Sequence, residues 1–257
     1  MSFDPKAAAR FIDEAHARLA RYENLPEAIA PRTVAEAYAS QEALAELWTP
    51  RLGPVAGLKI ATTTKVMQEL MGIDHPCGGM IYASRIHASP AKIAKTSLMN
   101  LVVECELAVR IARDLPAKGT PYTRSDVAAA TKSVMAAFEL IEDRNAVYKE
   151  TRALSLIADN AWNGGIVIGA EAPVPSGDWN GLVGKLAING ALAKEGRSDD
   201  PQGALAWIAN LAADRGRPLR AGMVVITGSL IPTLPIAVGD AFRFEIAGVG
   251  AVEMTAV

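Results

Sequence analysis

The segment LVVECELAVRIARDL, residues 101–115, alternates with a period of two, and this pattern limits the fold more than any other stretch. Val103, Cys105, Leu107, Val109 and Ile111 share one side of an extended chain, while Glu104, Glu106, Ala108 and Arg110 share the other. The chain must therefore supply a sheet that buries one face and tolerates two carboxylates on the opposite one. Along such a strand the two glutamates stand about 7 Å apart at their Cα atoms. Like charges at that distance repel, and burial raises the pKa of at least one. A hard divalent cation removes the conflict, because carboxylate oxygens suit magnesium, manganese and calcium. The plainer alternative is a solvated strand face that carries two acids.

FELIEDR, residues 138–144, reads as a second acidic strand. Glu139 and Asp143 fall on one face with Ile141 between them, so either could add a third oxygen ligand. Lys59 lies in the apolar stretch AGLKIA. It is either an edge residue whose ammonium reaches water or a desolvated amine able to move protons near neutral pH. Thr227-Gly228-Ser229 follows an apolar strand, where backbone N–H groups and a hydroxyl can meet an anion, although a plain turn has the same composition. His16, His75 and His87 do not cluster and suggest no histidine dyad. With only three histidines and two cysteines, Cys77 and Cys105, the chain has the makings of neither a disulfide framework nor a cysteine zinc site. Any metal is expected on oxygen.

Around these strands the organisation is α+β. Positions 5–22 carry apolar residues at helical spacing, and a second helix starts at Thr33, whose spacing to Glu36 matches a capping box. Pro50, Gly53 and Pro54 end it, so residues 1–54 read as a helical N-terminal cap and 55–257 as the catalytic body. In that body, 55–63 reads as a strand, 64–72 as a short helix, and 125–137 as a helix opened by Ser125 and Asp126. GGIVIGA (164–170) reads as a buried strand, and Asn189-Gly190 between apolar runs as a hairpin. A helix with proline at its first position and glycine past its end runs from Asp200-Pro201 to Gly216. GMVVITGSL and FRFEIAGVGAVEMTAV supply the last strands.

Composition excludes several classes. A net charge of -2 lacks the basic excess of a nucleic-acid-binding surface, and 21% charged residues is ordinary for a folded domain. No apolar run approaches the roughly 20 residues of a membrane span. The charged, amphipathic N-terminus is unlike a signal peptide, so a cytoplasmic protein is expected.

Six stretches together resemble the 2-keto-4-pentenoate hydratase / 4-oxalocrotonate decarboxylase branch of the fumarylacetoacetate hydrolase superfamily. They are AYASQ (38–42), GLKIATTTKVMQELMGID (57–74), VECELAVRIARDLP (103–116), FELIEDR (138–144), IADNAWNGG (157–165) and VVITGSLIPTLPIAVGDAFRFEIAGVGAV (224–252). The resemblance implies a mixed β-sheet roll with flanking helices, a divalent metal (Mg or Mn), and a homo-oligomer that can also pair with a pathway enzyme. It carries the metal ligands onto Glu104, Glu106 and Glu139, selecting Glu139 over Asp143, and the proton-handling lysine onto Lys59. Thr227, Gly228, Ser229 and Leu230 match the stretch that holds the substrate beside the metal, and Asp159-Asn160 matches another pocket stretch.

The implied activity is addition of water to a 2-hydroxy-2,4-dienoate, giving a 4-hydroxy-2-oxo acid, in aromatic meta-cleavage catabolism. One departure stands out. Hydratases of this branch carry a Pro-Asp-aromatic-Gly segment, where this chain reads Pro76-Cys77-Gly78-Gly79. Cys77 thus replaces the aspartate that partners the lysine, and decarboxylases of the branch lack that aspartate too. Trp162 and Asn163 also stand where the family often has smaller residues. The alternatives are therefore decarboxylation of a 4-oxalocrotonate-like diacid, or a non-catalytic keto-acid-binding or partner subunit.

Overall fold

The computed structural model describes residues 3–257. Its first half runs α1 (Pro5–Ala17), α2 (Val34–Leu52), β1 (Val55–Ala61), α3 (Lys65–Met71), β2 (Cys77–Tyr82), β3 (Ile86–Ala88), β4 (Ala91–Ile93), β5 (Val102–Ile111), α4 (Arg124–Ala129) and β6 (Thr131–Ile141). There follow α5 (Ala153–Ala158), β7 (Asn163–Ile168), β8 (Val183–Ile188), β9 (Ala191–Arg197), α6 (Pro201–Asp214), β10 (Val224–Pro235), β11 (Ala241–Ile246) and β12 (Gly250–Ala256).

The alternating segment becomes β5 at the centre of a seven-stranded mixed sheet, ordered β2-β1-β10-β5-β6-β7-β3. Its apolar side faces a five-stranded sheet ordered β4-β12-β11-β8-β9. Val103, Cys105 and Leu107 join Phe138, Phe242, Phe244 and Val252 in one continuous core. The ring of Phe138 meets those of Phe242 and Phe244 at 6.3 and 6.2 Å between centroids. Burying each such side chain stabilises the fold by about 1.5–3 kcal/mol.

The other side of the large sheet curls into a roll, with β2 returning against β7. Ile81, Ala108, Met135, Ala137, Ile166 and Ile226 fill its interior. Alanines in the middle of β5 and β6 leave room there. Glu106 and Glu139 lie on the same inner face, two residues along from Ala108 and Ala137.

Two expectations need correction. Residues 131–137 form strand, not helix, and α4 is a single capped turn and a half ending at Ala129. Alanine-rich AAATKSVMAA has helical propensity, but pairing with β5 along this stretch and a bridge from Val134 to Ala172 override it. The strand also stops at Ile141, so Asp143 sits in a turn and does not share a face with Glu139. There it accepts hydrogen bonds from Asn100 Nδ2 at 2.7 Å and Asn145 N–H at 2.9 Å.

Helices α1 and α2 pack on β2 and α5. Ala8, Ile12, Leu44 and Trp48 enclose Met80, Tyr82 and Ala158. Thr33 caps α2 through Glu36 N–H at 3.1 Å, but the Glu36 carboxylate reaches Arg32 N–H at 2.7 Å instead of the cap's own amide. Asn189 and Gly190, both at positive φ, make the tight turn between β8 and β9. Among the described residues no helix is long and apolar enough to cross a membrane.

Candidate active site

Antiparallel pairing of β5 with β6 sets Glu104 directly opposite Glu139, and the period of two brings Glu106 onto the same face. One carboxylate oxygen from each of the three lies within 4.8 Å of the others. Glu106 and Glu139 are fully buried. Oε1 of Glu106 and Oε2 of Glu139 have no hydrogen-bond partner in the protein. Leaving such oxygens unpaired is costly, and an all-oxygen donor set with two free buried oxygens fits a hard divalent cation, magnesium or manganese. Without a cation, burial raises the Glu106 carboxyl well above the usual carboxylate range, and the charges of Glu139 and Glu104 add to it. Burial also raises Glu139; Lys59 opposes this and Glu104 reinforces it, leaving the carboxyl at about 7.

Lys59 reaches this cluster from β1. Its Nζ lies 2.6 Å from Glu139 Oε1 and donates to the carbonyl of Ala161 at 3.0 Å. That carbonyl belongs to an unusual turn: Asn160, Ala161 and Trp162 all have left-handed backbones, with φ of 51°, 47° and 57°. Non-glycine residues adopt this conformation at a cost of roughly 1–2 kcal/mol each, so the surroundings must hold it. The Asn160 amide does so by pairing with β2: Met80 N–H donates to its Oδ1 at 2.7 Å, and its Nδ2 donates to Met80 O at 2.8 Å. Glu142 N–H adds a bond to Trp162 O at 3.0 Å. Gly79 permits the close approach, because a Cβ there would lie 2.7 Å from Asn160 O and 2.9 Å from Lys59 Cγ.

The stretch 227–230 divides by function. A register shift in β10 at Gly228, with φ of 111°, turns its N–H onto Glu106 Oε2 at 2.7 Å. Ser229 and Leu230 line the cavity beside the carboxylates. Thr227 is buried and turned away, donating to Leu107 O at 2.9 Å. Asn160 likewise is not among the cavity-lining side chains.

Cys77 is fully buried beside Lys59 and the Thr62 hydroxyl, and desolvation pushes its thiol up. The position holds a neutral group.

Two contacts to the acids lay outside the sequence reading. Thr233 donates to Glu104 Oε1, and Asn163 Nδ2 donates to Glu139 Oε1 at 3.0 Å. Thr233 sits between two prolines in IPTLP, which marks an irregular strand but not which acid the hydroxyl meets.

The cavity in front of these groups has a volume of about 520 Å³. Lys59, Glu104, Tyr148, Ser229 and Thr233 line it together with the apolar Met67, Met71, Ile141, Leu156 and Trp162.

A second polar cluster lies behind the site. His16 of α1 bonds Glu142 Oε2 through Nδ1 at 3.2 Å and Asp159 Oδ1 through Nε2 at 2.7 Å. Arg144 pairs with the other Asp159 oxygen. Burial alone would lower the His16 pKa, but the Asp159 charge and the hydrogen bonds to Asp159 and Glu142 outweigh it and push it to about 9. The imidazolium therefore ties α1 to both segments that flank the site.

Comparison with known proteins agrees with this geometry. Residues 74–257 match the family model described as fumarylacetoacetate (FAA) hydrolase, C-terminal. The chain is 34% identical over 203 residues to 2-hydroxyhexa-2,4-dienoate hydratase of Comamonas testosteroni, covering 76% of each protein. It is 31% identical over 224 residues to 2-keto-4-pentenoate hydratase of Burkholderia vietnamiensis, covering 85% of this chain and 84% of that one. Its fold is similar to that of 4-oxalocrotonate decarboxylase from Pseudomonas putida G7, solved with magnesium and adipate, with a TM-score of 0.89 and 24% identity over 98% of this chain and 97% of that one. A sheet roll that brings three glutamates together, a family model matched over residues 74–257, and relatives above 30% identity lead to one assignment: the chain belongs to the fumarylacetoacetate hydrolase family.

Proposed function

We propose that this chain is a metal-dependent hydratase. It adds water to a 2-hydroxy-2,4-dienoate, through the 2-oxo tautomer, to give a 4-hydroxy-2-oxo acid in aromatic meta-cleavage catabolism. The observation that carries the reading is the meeting of three carboxylates and a buried lysine, two of which, Glu104 and Lys59, line a single cavity. The hydratase names of the relatives support it.

In this reading Glu104, Glu106 and Glu139 hold the cation. A bound divalent metal supplies Lewis-acid stabilisation of the negative charge that develops on the substrate's 1-carboxylate and 2-oxo oxygens. Lys59 holds or moves the proton that interconverts dienol and keto forms, with its Nζ oriented by Glu139 and by the Ala161 carbonyl. Asn160 is a positioning residue, acting through that carbonyl. Gly228 orients Glu106, Ser229 and Leu230 border the bound acid, and Thr227 steadies the β10 bend.

Cys77 favours one second reading. A neutral thiol beside Lys59 supplies no carboxylate to activate water, as in the decarboxylase members of the branch. Product analysis separates the two: a 2-hydroxydienoate should yield a 4-hydroxy-2-oxo acid, whereas carbon dioxide release from a 2-oxo diacid without hydration would overturn the hydratase reading. We also read residues 1–54 as a cap on a 55–257 catalytic body, and the resemblance supports homo-oligomeric assembly, which the mass in solution tests.

A further inference from the structure

We propose that the chain carries a second ligand site, on the face of β1 and β2 turned away from Lys59, and that this site takes a monocarboxylate with an apolar aryl or branched-alkyl body. The site is independent of the carboxylate cluster and of the hydratase reading.

The strand pair makes room for it by what it leaves out. Leu58 and Met80, paired across β1 and β2, line this outer space, whereas Lys59 lines the cavity on the inner face. Gly78 brings no side chain, so Ile208 and Leu211 of α6 settle against its backbone; a Cβ there would lie 2.8 Å from a terminal methyl of each. Helix α2 stands across from α6, and the strands and the two helices leave a cavity of about 380 Å³, enough for a small organic acid. Leu58, Met80, Ile208, Leu211 and Met223 give it a largely apolar lining.

Its polar groups suit an anion. Three guanidiniums border it, those of Arg215, Arg217 and Arg220, against a single acid, Glu42. Glu42 is shared between Arg217 and Arg215, the latter at 3.4 Å, and Arg220 pairs with Asp114 at 2.9 Å outside the lining. One positive charge therefore stays unmatched among these partners.

Tyr38 is a second, separate sign of a ligand. It is only 2% exposed, its hydroxyl accepts from Gly78 N–H at 2.9 Å, and its own proton has no acceptor among the described residues. A buried donor left unpaired is costly. The Tyr38 ring lines the same space, with the Arg215 guanidinium 4.3 Å from its centroid. A single carboxylate can accept from the Tyr38 hydroxyl and from a guanidinium together, in charge-assisted bonds, while an aryl or branched body covers the apolar lining. Gln41 and Thr49 also border the cavity, but the Gln41 nitrogen is engaged by Gly78 O and Ile157 O and offers a ligand no donor.

The test is calorimetry of the magnesium-loaded protein with phenylacetate and with its neutral counterpart, phenylacetamide. Phenylacetate should bind at one site per chain, and the amide at least about tenfold more weakly. The titration is repeated with Glu106→Gln, which disables the carboxylate cluster; unchanged phenylacetate affinity is expected, and its loss there would place the anion at the metal and overturn the proposal. Arg217→Gln, at a half-exposed position, should weaken phenylacetate by at least about fivefold and leave the amide unaffected. Tyr38→Phe should act in the same direction, and Ala212→Phe should abolish binding of both by filling the space. Absence of saturable binding to wild type, equal affinity for acid and amide, or full phenylacetate affinity in Arg217→Gln each overturns the proposal. A change in the mass in solution on Arg217→Gln, with no phenylacetate bound to wild type, would give this surface to a second copy of the chain instead.

Discussion

Nζ of Lys59 lies 2.6 Å from Oε1 of Glu139, and neither group reaches solvent to any extent. One carboxylate thus serves both the lysine proposed to handle the proton and the cluster proposed to hold the cation. Proton and metal must compete for it. Because the metal-free Glu139 carboxyl stands at about 7, cation affinity should fall as pH drops below that value and protons should be released on binding. Manganese titrations between pH 6 and 8 in two buffers of different ionisation enthalpy measure both effects; pH-independent affinity would remove Glu139 from the ligand set.

Cation binding should also stabilise the fold, since two buried carboxylate oxygens lack any other partner. At a hundredfold excess over Kd the gain is about 2.7 kcal/mol. Thermal melts with magnesium or a chelator should show this shift, and Glu106→Gln should abolish it.

Lys59→Met should reduce turnover by roughly 10²–10⁴-fold, the usual worth of a positioned acid–base group, while the protein still binds manganese. Single-turnover kinetics alongside metal titration separates the two effects. Near-normal rates in this variant would assign the proton to another group.

His16 contributes stability with a definite pH signature. Its folded pKa of about 9 lies above the ordinary 6.5, so the contribution is fully present below about 6.5 and is lost as pH rises through about 9. The groups that face it are Glu142, Asp159 and Arg144, with Trp48 against the ring. The full effect is on the order of 3 kcal/mol. Urea unfolding of wild type and His16→Gln at pH 6 and 9.5 should show a gap that closes at the higher pH.

Asn160→Ala strips partners from both the N–H and the C=O of Met80 inside the roll. A loss of about 2–4 kcal/mol is expected, with a larger fall in kcat than in cation affinity, because the Ala161 carbonyl loses its anchor. Denaturant titration and steady-state rates on the same preparation check this pairing of effects.

Cys77 and Cys105 are both fully buried, and desolvation raises both thiols. A thiol-directed reagent at neutral pH should label neither in the native protein and both after unfolding. Rapid native labelling of Cys77 would mean that the strand bearing it opens.

Much of the sheet was legible because its signal is local. The alternation in β5 needs no distant partner to put Glu104 and Glu106 on one face, and Asn189-Gly190 declares its own turn. Glu139 was different. Spacing left it level with Asp143, since nothing in FELIEDR marks where the strand stops; the stop at Ile141 comes from pairing with β7. Residues 131–137 misled for the same reason, as alanines suited to a helix are held extended by β5, a partner distant in sequence. The partners of Lys59 and His16 lay further out of reach. Ala161 is 102 residues from Lys59 and contributes only a carbonyl, while Asp159 is 143 residues from His16. Three consecutive left-handed residues reading Asn-Ala-Trp carry no glycine to announce them.

Gln41, within the AYASQ stretch of α2, donates from a single nitrogen to Gly78 O at 2.9 Å and Ile157 O at 2.8 Å. One of these carbonyls adjoins Gly79, which backs Lys59; the other leads through α5 into the turn that presents Ala161. The helix thus works as a yoke: one side-chain nitrogen joins the strand behind Lys59 to the helix that leads into the lysine's carbonyl partner, so a single amide holds both in place.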